Sequence, residues 1–242
     1  MRSASATDTG RVRDVNQDTV FTSDEPVGIL PDLYLVADGM GGHNAGDFAS
    51  RFCVDEFVRC IKNSKGRTML GLMESAVATV NEELIKKGSE DEALNGMGTT
   101  LVGAVVEGNI CTVLNIGDSR MYIFKKNEGL RQISQDHSLV ENMVRNGEIE
   151  RREAMRHPKK NVITRAIGVF DSADPDFFEI DTDKGDIILL CSDGLTNMVD
   201  DDIIGSVLRE EDKDINRKAE ELVKLANEKG GKDNISVVLV EI

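Results

Sequence analysis

One stretch restricts what this chain can become more than any other: Leu33-Tyr34-Leu35-Val36-Ala37-Asp38-Gly39-Met40-Gly41-Gly42-His43. It opens as an apolar run with the length and composition of a buried strand. It then breaks at an acid followed by closely spaced glycines. A carboxylate at the end of a rigid strand is held in place, and glycine lets the backbone come close to whatever that carboxylate binds. Taken alone, the same pattern also describes a strand leaving a sheet through a turn, with Asp38 as a turn residue.

Other acids occupy comparable places. Asp193 also ends an apolar strand and is followed by glycine, Asp18 and Asp233 directly precede strands, and Asp118 lies in a turn between two strands. Each by itself is by default a turn residue or a helix cap. Five together gain another meaning if the strand ends converge on one cleft. Carboxylates gathered in a partly dry site repel one another unless cations lie between them. The ligand set would be all oxygen, with no cysteine and at most one nearby histidine, which favours Mg²⁺ or Mn²⁺ over zinc. Two such ions can activate a water and clamp a phosphoryl oxygen. Arg13, five residues before Asp18, is suited to the non-bridging phosphate oxygens; the competing reading is a surface ion pair with an acid. His43 is suited to protonating a leaving alkoxide; the competing reading is a histidine that only hydrogen-bonds at a helix start.

The chain carries 29 Lys and Arg against 44 Asp and Glu, a formal net charge of −15. That argues against a nucleic-acid backbone as the main partner, since phosphate contacts need clustered cations. The sequence has no apolar run of transmembrane length and no signal-peptide pattern at its start. Its four cysteines, Cys53, Cys60, Cys111 and Cys191, show no C-x-x-C spacing and read as reduced core thiols. The expected setting is cytoplasmic.

In chain order, residues 1–9 read as an edge strand, 10–18 as a polar loop and 19–21 as a strand. Helices are expected at 44–63 and 68–87, the second stopping at Gly88. An antiparallel meander is expected over 98–126, short helices near 139–145 and 151–156, and strands at 161–167, 176–180 and 186–191. Helices at 200–209 and 215–229 and a last strand at 235–241 complete the chain. No linker interrupts it, so 1–242 reads as one domain with a mobile flap around 138–160. Strand runs flanked by amphipathic helix pairs point to a layered α+β arrangement.

The stretches G-R-V-R-D-V-N-Q-D (Gly10–Asp18), V-A-D-G-M-G-G-H (Val36–His43), G-M-G-T-T (Gly96–Thr100), N-I-G-D-S-R (Asn115–Arg120), Q-D-H-S-L (Gln135–Leu139), I-T-R-A-I-G (Ile163–Gly168), L-C-S-D-G-L-T-N (Leu190–Asn197) and K-D-N-I-S-V-V (Lys232–Val238) span the chain. In this order the sequence resembles the metal-dependent protein phosphatases, the type 2C serine/threonine phosphatases, in their compact bacterial form. The resemblance implies a four-layer α/β/β/α sandwich, two packed antiparallel sheets flanked by helix pairs, with a binuclear site of Mn²⁺ or Mg²⁺ at one edge. By position, Asp38, Asp193 and Asp233 would hold one ion. Asp38 would bridge to the second, which also takes the Gly39 carbonyl, and Asp18 would act at that second ion directly or through water. Asp118, with Asp193, matches the position of a third, weaker ion. Arg13 matches the phosphate-binding arginine, His43 the proposed general acid, and residues 141–165 the flap. Some relatives have a histidine immediately after the Asp-Gly pair, where this chain has Met40.

The implied reaction is hydrolysis of phosphoserine or phosphothreonine by direct attack of a metal-bridging hydroxide. The implied partners are phosphoprotein substrates, including a bacterial serine/threonine kinase and its targets, with no nucleic acid, no membrane insertion and a monomeric state. Rival readings are a phosphatase of a phosphorylated anti-sigma-factor antagonist, a two-metal nuclease or nucleotide phosphohydrolase, and a non-catalytic cation-binding interaction module.

Overall fold

The computed structural model describes residues 1–42, 45–64, 68–154 and 156–242. Its strands are β1 (Arg2–Asp8), β2 (Asp18–Ser23), β3 (Leu33–Met40), β4 (Gly98–Thr99), β5 (Leu101–Glu107), β6 (Ile110–Ile116), β7 (Arg120–Lys125), β8 (Gly129–Gln132), β9 (Asp176–Asp181), β10 (Ile187–Cys191) and β11 (Ile235–Glu241). Its helices are α1 (Ala45–Asn63), α2 (Met69–Glu90), α3 (Leu139–Arg145), α4 (Arg151–Ala154), α5 (Asp193–Thr196), α6 (Asp201–Arg209) and α7 (Ile215–Glu228). One sheet runs β1-β11-β10-β7-β8 and the other β2-β3-β5-β6-β9, with β4 also pairing with β3. All named pairings are antiparallel.

Strand alternation explains the layering. On β3, Leu33, Leu35 and Ala37 pack with Phe57, Ile61, Met73 and Leu84 of α1 and α2. The alternate residues Tyr34 and Val36 meet Met121, Ile188, Leu190, Val238 and Val240 of the opposite sheet. On that opposite sheet, Leu189, Val237 and Leu239 pack with Ile204, Leu208, Ala219 and Leu222 of α6 and α7. Three apolar interfaces therefore separate four layers, helices, sheet, sheet and helices, as the resemblance implies. All four cysteines are free thiols.

Three local expectations are corrected. The run 98–126 is not one meander: β5 and β6 pair in one sheet, while β7 pairs with β10 and β8 in the other. Strands buried on both faces look alike in sequence, so nothing local reveals that the turn at Gly117-Asp118-Ser119 crosses between sheets. Helix α2 does not stop at Gly88 but runs to Glu90. Gly88 instead makes room for the returning chain, since a Cβ there would lie 3.2 Å from the Leu94 carbonyl oxygen. Residues 161–167 form no strand; their backbone joins only isolated bridges, Ser138 with Ile163 and Thr99 with Ile167. The short edge strand β8 had no apolar alternation to announce it.

The flap region holds α3 and α4, tied to each other by a bidentate Arg151–Glu141 pair at 2.7 and 2.9 Å. The expected helix at 151–156 is shorter than read, and Met155 lies outside the described residues.

Candidate metal and phosphate site

The inward-facing positions of the strands change character at one end of the sandwich. Following the alternation from Val36 leads to Asp38, from Val20 to Asp18, from Val102 to Thr100, from Val113 to Asn115, from Leu190 to Ser192 and from Val238 to Ser236 and Asn234. Antiparallel pairing brings all these strand ends together. The space between the sheets, apolar elsewhere, opens there onto a polar floor.

Asp18 and Asp38 stand opposite each other in register on β2 and β3. Asp18 is buried, and its Oδ2 accepts a 2.7 Å hydrogen bond from Ser192 Oγ. Ser192 Oγ itself accepts from the Ser236 backbone N–H at 2.9 Å. Asp18 Oδ1 is buried with no hydrogen-bond partner. Asp38 is held by its backbone: its N–H donates to Thr100 Oγ1 at 2.9 Å, and its carbonyl accepts from the Thr100 N–H and from Thr99 Oγ1. Its carboxylate takes no part in these contacts.

Asp193 is the first residue of α5, not simply a turn after β10. Its Oδ2 accepts from Asn197 Nδ2 at 2.8 Å, one helical turn on, and Asn197 Oδ1 accepts from Lys160 Nζ of the flap at 2.9 Å. Neither partner was singled out from sequence, although the four-residue Asp–Asn spacing is the signal a helix start would provide. Gly194 is required beside it, because a Cβ would fall 1.9 Å from the Asn234 carbonyl oxygen. Gly194→Ala is expected to lower stability by roughly 2 kcal/mol or more, read as a shifted urea midpoint. An unchanged midpoint would show that the backbone yields there.

Asp233 pairs with Arg13, Nη2 to Oδ2 at 2.9 Å. The loop carrying Arg13 is fastened by the neighbour of Asp233. Asn234 Nδ2 donates to the carbonyls of Thr9 and Val15, both at 2.9 Å, and its Oδ1 accepts from the Gln17 N–H at 2.9 Å. Gly10, at φ +84°, leaves no space for a Cβ, which would sit 2.2 Å from the Asp233 carbonyl oxygen. The surface ion pair weighed for Arg13 exists, and its partner is one of the five acids. It occupies one donor of a half-exposed guanidinium and leaves the others for a ligand.

Asp118 is buried in the turn that crosses between the sheets. Arg120 beside it is anchored by Asp136, Nε to Oδ1 at 2.9 Å and Nη2 to Oδ2 at 2.6 Å. His43 lies outside the described residues.

The electrostatics follow from this crowding. Burial pushes Asp18 up to about 7, against the hydroxyls of Ser192 and Ser236 and reinforced by Asp193 and Asp233. Burial, then the charges of Asp193 and Asp136, push Asp118 up to about 8, with Arg120 opposing. Asp193 rises to about 6 through burial and Asp233. Asp38 is held well above the carboxylate range by desolvation and then by Asp18, Asp193, Asp118 and Asp233. Arg13 is raised above its ordinary value, chiefly by its hydrogen bond to Asp233. Asp38 thus senses all four of the other acids, and the nearby cations Arg13, Arg120 and Lys160 only partly offset the crowding. Among the described residues no three acid, histidine or cysteine side chains close into a metal cage. An open, oxygen-only set with an unsatisfied buried Oδ1 fits Mg²⁺ or Mn²⁺, which keep several waters.

Residues 9–239 match the family described as Protein phosphatase 2C. The chain is 39% identical over 241 residues to "Serine/threonine phosphatase stp" of Listeria monocytogenes serotype 4b, covering 97% of this chain and 93% of that protein. It superposes on the crystal structure of serine/threonine phosphatase Stp1 from Staphylococcus aureus with a TM-score of 0.91 at 33% identity, covering 99% and 94% of the two chains. The catalytic domain of the serine threonine protein phosphatase PstP, solved in complex with 2 manganese ions, gives a TM-score of 0.86 at 33% identity, covering 99% and 97%.

Proposed function

The chain belongs to the protein phosphatase 2C family, and from that premise we propose how its own residues divide the work of a metal-dependent serine/threonine phosphatase. Asp38, Asp193 and Asp233 hold one Mn²⁺ or Mg²⁺. Asp38 and the Gly39 carbonyl would also hold a second ion, at which Asp18 would act directly or through water. Asp118, whose charge couples to that of Asp193, would hold a third, weaker ion together with it. When bound, the cations supply an activated water and neutralise charge on the phosphoryl oxygens. The observation that carries this reading is the convergence of five mutually repelling carboxylates with Asp18 Oδ1 unsatisfied.

Arg13 receives the phosphate of phosphoserine or phosphothreonine with the donors that its pair with Asp233 leaves free. His43, assigned from its place in the sequence, protonates the departing hydroxyl oxygen. Residues 1–242 act as one catalytic domain whose flap, about 141–165, borders the cleft, and Lys160 reaches the Asp193 site through Asn197.

Substrates are phosphoproteins, and we include among them a bacterial serine/threonine kinase and its targets. The enzyme acts as a monomer in the cytoplasm; among the described residues no helix is long and apolar enough to cross a membrane.

The deciding experiment is phosphate release from a phosphothreonine peptide while Mn²⁺ and Mg²⁺ are titrated against an EDTA control. Metal-dependent release is expected; none at any concentration from a folded sample would leave only a cation-binding module. Arg13→Ala is expected to raise KM about tenfold with a smaller change in kcat, because a forked phosphate contact is lost from ground state and transition state alike. An unchanged KM would remove Arg13 from the phosphate site.

A further inference from the structure

The strand that carries Asp38 does not end there. Met40 follows two residues on, so its side chain projects from the same face of β3, roughly 7 Å along the strand. Opposite Met40 in register is Gly98. The space a side chain would fill at Gly98 is taken by Val169: a Cβ there would lie 2.3 Å from Val169 Cγ2 and 3.6 Å from Met40 Cγ. Val169 and its neighbour Phe170 are each 44% exposed. They are nonetheless fixed from beneath. Asn81 of α2 donates through Nδ2 to the Phe170 carbonyl at 3.0 Å and accepts the Gly168 N–H at Oδ1 at 2.7 Å. The Thr99–Ile167 bridge joins the same segment to the cleft strands, with N–H···O distances of 3.0 and 2.9 Å in the two directions.

Exposed apolar side chains fixed this firmly beside a polar cleft are suited to meeting a partner. An extended peptide has the same two-residue spacing as β3. A peptide that runs along β3 with its phosphorylated side chain in the acid cleft would carry the side chain two positions away onto Met40, Val169 and Phe170.

Resting on the phosphatase reading above, we propose that Met40, Val169 and Phe170 form a specificity ledge that selects phosphopeptides bearing an apolar side chain two residues from the phosphorylated one. The ledge contacts the substrate's flank and not its phosphate. Truncating it should alter the choice among peptides while leaving the hydrolysis of a substrate without flanks untouched.

The test compares phosphothreonine peptides carrying leucine, alanine or aspartate at each of the two positions on either side of the phosphothreonine, with p-nitrophenyl phosphate as the flankless control. For the wild-type chain, leucine two positions away on one side should exceed aspartate about tenfold in kcat/KM, mostly through KM, as expected for partial burial of one apolar side chain. In Phe170→Ser, and in Val169→Ser with Phe170→Ser, that preference should fall to within about twofold while p-nitrophenyl phosphate is hydrolysed at the wild-type rate. A wild-type profile that is flat or peaks one position away overturns the ledge, as does a Phe170→Ser enzyme that keeps the full preference. Loss of turnover on p-nitrophenyl phosphate in that variant would assign Phe170 to the catalytic cleft instead and equally overturn it. A wild-type chain inactive on both the peptides and p-nitrophenyl phosphate would remove the phosphatase reading itself.

Discussion

Asp38→Asn is expected to abolish phosphate release and, in the same molecule, to raise the melting temperature of the metal-free protein. The first effect follows from the ligand role proposed above: removing a carboxylate that would serve two cations would forfeit several kcal/mol of charge stabilisation, roughly a thousandfold in kcat. The second follows from electrostatics. Asp38 faces Asp18 across β2 and β3 and is pressed by four other carboxylates. Asparagine keeps the shape and removes the charge. The hydrogen bonds that seat this residue use its backbone and not its carboxylate, so they survive the change. A higher melting temperature in EDTA is expected, because the group whose burial and repulsion disfavour the folded state is no longer ionisable. Initial rates at saturating Mn²⁺ and thermal melting in EDTA read the two effects separately. Near-normal turnover would remove Asp38 from the metal site; a lower melting temperature in EDTA would mean that its carboxylate serves the fold.

The sign of the pH dependence should invert with metal. In the metal-free protein Asp18, Asp118 and Asp193 are pushed up to about 7, about 8 and about 6. In the unfolded chain they return to ordinary carboxylate values near 4. Between those limits the folded state holds more protons than the unfolded one, so stability falls as pH rises from about 4 to about 8 and levels off above. Acidification from pH 8 to 5.5 should therefore raise the melting temperature in EDTA. With Mn²⁺ present the carboxylates must be ionised to bind, and the same acidification releases the ion and lowers stability. A melting temperature that moves in the same direction with and without metal would show that these acids do not share a cation site. The contrast needs only two buffers and a chelator.

Much of the architecture was readable because it is written locally. The apolar run of β3, the helical spacing of α1, α2 and α7, and the placing of acids at strand ends all depend on residues within a few positions of one another. So did the order of the motifs from Gly10 to Val238. What escaped reading was what depends on partners far along the chain. The β6 and β7 sequences look like a hairpin continuation, yet they lie in different sheets because β7 finds its hydrogen bonds on β10. Lys160, in a loop, gives no local sign of joining the Asp193 site, and the Asp193–Asn197 spacing speaks only once a helix is known to start at Asp193. The pairing of Arg13 with Asp233 spans 220 positions.

The sequence by itself determined which residues could bear chemistry and which faces must be buried, because period and side-chain type are properties of short segments. Only the tertiary structure decided that Asp38 is pressed by four other acids, that one Asp18 oxygen is left without a hydrogen-bond partner, and that Val169 lies beside Met40, two residues beyond Asp38. Those are consequences of two sheets stacking in one register, with their polar strand ends at the same edge. Long-range register is set by the summed burial of both sheet faces and is encoded in no single stretch.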